Sequence, residues 1–136
     1  MFSIGELSRR AGVKIPTIRY YEQMGLMAAA DRSEGNQRRY SKDGLKRLSF
    51  IRHSRELGFS IDDIRGLLEL SQHPEKPCRD AHNMAARRLD DVRARIAKLR
   101  RLERELKRIS GCDADTIAHC AVIETLADHG LCEGDH

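Results

Sequence analysis

Residues 78–109 read CRDAHNMAARRLDDVRARIAKLRRLERELKRI, a run without proline or glycine. Leu89, Val92, Ile96 and Leu99 recur at steps of three and four, and Leu102, Leu106 and Ile109 continue the series. Arg, Lys, Asp and Glu fill the positions between them. A narrow apolar seam in a charged surround predicts a helix paired with another helix. At ~1.5 Å per residue it would span roughly 45 Å, longer than a small domain needs. So long a helix with one apolar stripe cannot bury that stripe alone, and the segment reads as a dimerisation rod.

The cysteines sit at the ends of this rod. Cys78 opens it, Cys112 lies just past Gly111, and Cys120 follows. About 50 Å of helix would separate Cys78 from Cys112 in one chain, too far to share an ion. In an antiparallel pair the start of one rod meets the end of the other. Cys78 of one protomer then approaches Cys112 and Cys120 of its partner, twice per dimer.

A chain of 136 residues allows one compact domain of modest core plus an extension. Residues 1–71 hold 13 Lys/Arg against 9 Asp/Glu, and residues 72–136 hold 12 against 12. The whole net charge of +4 therefore lies in the N-terminal half, which suits a polyanionic partner. Neither a signal peptide nor an apolar run of membrane-spanning length is present, so a cytoplasmic location with no membrane partner is expected. Thiols stay reduced there, and the four cysteines read as metal ligands or redox groups rather than structural disulfides.

From the N-terminus, Ser3 and Glu6 have capping-box spacing and should start a short helix with Ile4, Leu7 and Ala11 inward and Gly12 as its stop. Pro16 suits the first turn of a second helix that Gly25 ends. Two short helices joined by a glycine-containing turn predict a helix-turn-helix. In the second helix Ile18 and Tyr21 face inward, leaving Thr17, Arg19, Tyr20 and Gln23 to face DNA. ADRSEGNQRRYS, with Arg32, Arg38 and Arg39 around Gly35-Asn36, reads as a two-stranded wing with its arginines over phosphates. Ser41 should cap a third helix with Leu45, Leu48, Ile51 and Leu57 inward, and Ser60 a fourth with Ile61, Ile64, Leu67 and Leu68 inward. HPEKP is a stiff linker before the rod.

IGELSRRAGVKIPTIRYYEQMGL, the wing DRSEGNQRRYS and FIRHSRELGFSIDDIRGLL together resemble the MerR family of transcriptional regulators. The likeness extends through the rod to the C-terminal cysteines. Gln37 and the order Gly35-Asn36 depart from the family, which usually carries an aromatic and Asn-Gly there. The resemblance implies a mainly α fold: a winged helix-turn-helix domain, a long antiparallel coiled-coil dimerisation helix and a short C-terminal metal-binding loop. The corresponding segments are 1–71 for the DNA-binding domain, 72–77 for a linker, 78–110 for the dimerisation helix, and 111–136 for the loop, a short helix and the tail. It further implies a homodimer on a palindromic promoter, acting on RNA polymerase. The DNA-contacting set carried over is Arg19 and Tyr20 on the recognition helix and Arg32, Arg38 and Tyr40 in the wing, with Lys14 and Thr17 as weaker members.

The metal-sensing branch of the family binds its ion with two cysteines in a loop like the one between Cys112 and Cys120. Copper and silver sensors use that pair alone; divalent sensors add a cysteine from the partner's rod terminus. Cys78 occupies that third position, so the resemblance implies a divalent soft metal (Zn, Cd, Pb or Hg) held by Cys78, Cys112 and Cys120. His119 and Cys132 are possible extra ligands, and AVIETLA after Cys120 should dock through Val122, Ile123 and Leu126. The implied role is activation of a metal resistance or efflux promoter. Two alternatives stay open: a Cu(I)- or Ag(I)-responsive regulator, since the loop length also fits copper-type loops, and a thiol redox switch at Cys112 and Cys120. An enzyme is not expected, because no pocket-forming domain follows the rod and no group orients a Cys–His pair.

Overall fold

The computed structural model describes residues 1–111 and 113–128. In order these form α1 (Ile4–Ala11), α2 (Ile15–Gln23), β1 (Asp31–Arg32), β2 (Arg38–Arg39), α3 (Lys42–Glu56), α4 (Ile61–Ser71), α5 (Arg79–Ser110), a 3-10 turn (Ile117–His119) and α6 (Ala121–Ala127). The fold is mainly helical, and β1 and β2 form an antiparallel ribbon in the register Asp31↔Arg39 and Arg32↔Arg38. Among the described residues no helix is long and apolar enough to cross a membrane. The chain divides into two units, Met1–Met84 and Ala85–His136.

In the first unit, serine starts three of the helices. Ser3, Ser41 and Ser60 lie in extended backbone, and their hydroxyls accept from the N–H of Glu6 (3.2 Å), Gly44 (3.1 Å) and Asp63 (3.1 Å). Each satisfies a donor that a helix start leaves unpaired, worth about 1 kcal/mol. α1 ends at Gly12, whose left-handed φ of 67° lets its N–H return to the Ser8 carbonyl at 2.9 Å. Three arginines then close the C-terminal side of the first two helices. Arg52 donates to the Ala11 carbonyl and Arg65 to that of Met24, both at 2.8 Å, and Arg47 donates to Leu26. Cations meeting carbonyls at a helix end are favoured by both hydrogen bonding and the helix dipole.

Leu7, Ile18, Leu26, Tyr40, Leu48, Ile51 and Ile64 are the fully buried centre, with Ile4, Leu45 and Ile61 packed around it. Tyr21 joins the core at 6% exposure, as expected. Leu57 does not. It is 66% exposed, because α3 ends at Glu56 and the chain turns away through Leu57 and Gly58, which has a φ of 87°. Ser54 is buried in the last turn of α3, with its hydroxyl donating to the Phe50 carbonyl at 2.8 Å. The start of α5 lies close against α4: a Cβ at Gly66 would meet Met84 Cε at 3.0 Å.

In the second unit, Leu89, Ile96, Leu99 and Leu106 of α5 are 41–60% exposed, while Ile109 is buried. Leu99, Leu102, Leu106 and Ile109, with Val122 of α6, line an open, mostly apolar concavity of about 950 Å³. Of the three residues expected to dock α6, Val122 is the one that lines this concavity. Ile123 and Leu126 are exposed, and the side chain that α6 buries is Thr125. Thr125 Oγ1 accepts from Arg108 Nη2 at 3.2 Å, and Arg108 also pairs with the buried Glu105. A polar clamp fastens α6 to the end of α5 because buried charge is tolerated only when paired and hydrogen-bonded.

Candidate functional site

The helix-turn-helix side of the first unit presents α2. Lys14 caps this helix at its start and is exposed, Thr17 is half-buried, Arg19 is exposed, and Tyr20 is 46% exposed with its ring tilted against Tyr21 at 5.9 Å. The ribbon of β1 and β2 follows as the wing. Its turn is closed by Asn36, with a φ of 62° and its N–H on the Ser33 carbonyl at 2.9 Å; Asn tolerates the left-handed region. Arg32 Nη1 braces this turn from the strand side by donating to the Asn36 carbonyl at 3.2 Å.

Two concavities flank the recognition helix. Arg19, Arg32 and Arg38 line one of about 340 Å³ together with Ser3, Asn36 and Gln37. Three guanidiniums around one opening suit a phosphate, which takes bidentate hydrogen bonds from this fork geometry. Lys14 and Thr17 line a separate hollow with Tyr21, Arg52 and Arg55. The expected contact set is thus split, with Arg19, Arg32 and Arg38 brought together and Lys14 and Thr17 elsewhere.

Tyr40 is not on this surface. Its side chain is fully buried, and its hydroxyl donates to Glu22 Oε1 at 3.0 Å. Its backbone pairs with Phe2 through two hydrogen bonds of 2.7 and 2.8 Å, because the residue after β2 forms a bridge to the N-terminus. Burial, followed by the hydrogen bond to the Glu22 carboxylate and its negative charge, pushes the Tyr40 hydroxyl up to about 12. In this structure Tyr40 anchors the base of the wing, with its side chain buried instead of presented on the surface where it was expected. Glu22 itself, also 3.6 Å from Arg38 Nη1, carried no signal in the sequence beyond its place in RYYE, since its partners lie 16 and 18 residues away.

Of the thiols, Cys78 is exposed and free immediately before α5, and its carbonyl accepts from His82 N–H at 3.0 Å. Cys120 is free and half-buried and starts α6, with its N–H on the Ile117 carbonyl at 3.1 Å and its carbonyl accepting from Glu124. His119 is exposed at the end of the 3-10 turn. Cys112 and Cys132 lie outside the described residues. Among the described residues no group of three His, Cys, Asp or Glu side chains converges in a way that could hold an ion.

The helix-turn-helix and wing match the model of the MerR HTH family regulatory protein over residues 2–71, and the MerR, DNA binding model matches residues 45–109. The chain belongs to the MerR family. As such it is a helix-turn-helix DNA-binding transcription regulator. It is 41% identical over 130 residues to the HTH-type transcriptional regulator ZntR of Escherichia coli K12, covering 93% of this chain and 92% of that protein. It is 39% identical to the mercuric resistance operon regulatory protein of Bacillus cereus over 127 residues, 92% of this chain and 96% of the relative. In structure it resembles the transcription regulator PbrR691 from Ralstonia metallidurans CH34 in complex with lead(II). That match has a TM-score of 0.78 and 39% identity, and spans 93% of this regulator and 99% of the other chain.

Proposed function

We propose that this regulator is metal-responsive: a homodimer that holds a divalent soft ion (Zn, Cd, Pb or Hg) at each end of a paired rod and activates a metal resistance or efflux promoter. The observation that carries the reading is α5. It is an unbroken helix of 32 residues with an exposed apolar seam and a free thiol directly before it. At ~1.5 Å per residue it spans about 48 Å, so thiols at its two ends meet only in an antiparallel pair. Cys78 of one protomer then joins Cys112 and Cys120 of the partner, a thiolate set that suits soft ions of tetrahedral or lower coordination. His119, exposed directly before Cys120, is proposed as an additional ligand; the same role for Cys132 rests on the sequence alone. The named metals of the relatives, mercury and lead, support a soft ion.

In this reading Arg19, with Tyr20, Thr17 and the capping Lys14 of α2, and Arg32 and Arg38 of the wing take operator phosphates and base edges. The paired recognition helices sit in successive major grooves of a palindrome. Ion capture shifts the dimer between two arrangements a few kcal/mol apart. The contact between Met84 and α4 at Gly66 is a path by which the rod moves the DNA-binding domains. The bound promoter is then bent and untwisted until RNA polymerase can engage both of its elements, drawing on sequence-dependent DNA flexibility.

Separation of roles tests this. Arg19→Ala should weaken operator binding with or without metal, whereas Cys112→Ser should leave binding intact and abolish metal-dependent transcription in vitro. Loss of DNA binding in Cys112→Ser contradicts the assignment.

A further inference from the structure

Glu22 is an acidic residue set beside the arginines of the proposed DNA-binding face. It lies one turn after Arg19 on α2, and its side chain is only 14% exposed. The same oxygen, Oε1, accepts from the Tyr40 hydroxyl at 3.0 Å and faces Arg38 Nη1 at 3.6 Å. Tyr40 is fixed from its other side by the backbone pair with Phe2, and Arg10 lies over the Phe2 ring at 4.5 Å. The wing beyond this base consists of two-residue strands, too short to hold an orientation by their own ladder. Its bearing relative to the recognition helix therefore rests on the base, and Glu22 is where the base meets α2.

We infer that Glu22 is a positioning residue that ties the wing to the recognition helix and aims Arg38, so that operator specificity depends on a carboxylate that by charge alone repels DNA. This rests on the DNA-binding role of Arg38 proposed above. Two opposed effects are at stake. Removing the carboxylate makes the surface more positive, which strengthens sequence-independent binding through the phosphates. Removing it also frees the Arg38 side chain and loosens the wing, so that binding must order both. The first effect acts on any duplex; the second acts where Arg38 must reach one particular place. If the tie matters, neutralising Glu22 lowers affinity for the operator while sparing or raising affinity for unrelated DNA. Gln at this position keeps an acceptor for the Tyr40 hydroxyl, so the variant isolates the hold on Arg38.

The test uses a palindromic duplex selected by the full-length wild-type protein from a random-sequence pool, and an unrelated duplex of equal length. Affinities for both are measured across a salt series for wild type, Glu22→Gln, Glu22→Asp, Arg38→Ala and the Glu22→Gln/Arg38→Ala double variant, with thermal melts run alongside. Glu22→Gln should weaken the selected duplex by about three- to tenfold and leave the unrelated duplex unchanged or tighter, a loss of the order expected for one unordered side chain. Glu22→Asp should recover most of the loss, and on the Arg38→Ala background Glu22→Gln should cost little more. Parallel tightening on both duplexes would overturn the inference, as would an undiminished loss when Arg38 is already absent. A wild-type protein that selects no duplex at all would instead overturn the DNA-binding role of the wing, and this inference with it.

Discussion

Replacing Leu99 with alanine should weaken the dimer by roughly 30- to 150-fold without unfolding the protomer. Leu99 stands near the middle of the α5 seam and is 57% exposed in the single chain. Fully burying a leucine is worth about 1.5–3 kcal/mol. Half of that remains to be gained when a partner covers the exposed part, so each side chain adds about 1–1.5 kcal/mol. A twofold interface contains the residue twice, for about 2–3 kcal/mol per dimer, and about 1.4 kcal/mol is one decade in the dissociation constant. Alanine keeps the helix, since its propensity exceeds that of leucine. Sedimentation equilibrium over a dilution series reads the constant directly, with far-ultraviolet circular dichroism confirming that helix content is kept. Lys98→Ala, one residue away on the charged face, is the matched control and should leave the constant unchanged. Equal dimer constants for wild type and Leu99→Ala would refute the seam as the interface.

Arg19→Ala should cost about 1–3 kcal/mol of operator affinity, equally in apo and metal-loaded protein, as read by fluorescence anisotropy. Tyr40→Phe carries a pH signature. The Tyr40 hydroxyl is raised from 10.0 to about 12, so folding favours its protonated form. That contribution is fully present below pH 10.0 and is lost as pH climbs through about 12. Roughly 2–3 kcal/mol of stability relative to Tyr40→Phe should therefore disappear across this window in urea unfolding. A stability gap that stays constant through it would contradict the burial of this hydroxyl against Glu22.

Much of the first unit was legible because its signals are local. Ser3, Ser41 and Ser60 announce helix starts within three residues of their partners, and the helical steps of three from Leu48 to Ile51 and four from Ile64 to Leu68 mark faces that the core then uses. What the sequence hid depends on partners far along the chain. Tyr40 looks like a surface wing residue until Phe2 and Glu22 are placed beside it. Arg47, Arg52 and Arg65 look like solvent or phosphate charges, yet they close carbonyls of other elements. Thr125 and Glu105 are polar letters in a helical pattern, and their burial follows only from meeting Arg108. Leu57 fits the α3 stripe by spacing but falls one residue after the helix has ended. At the thiol site, Cys78 and Cys120 are present as free groups, while Cys112 is assigned from sequence alone.

The central claim, an ion held across the dimer ends, is met most directly by anaerobic titration of the reduced dimer. Zn(II), Cd(II), Hg(II), Pb(II) and Cu(I) would each be followed by ultraviolet thiolate charge transfer and repeated on Cys78→Ser. Tight divalent binding at one ion per rod end is expected, crippled in Cys78→Ser while Cu(I) is spared. Tightest binding of Cu(I) with indifference to Cys78, or no metal binding at all, would contradict it.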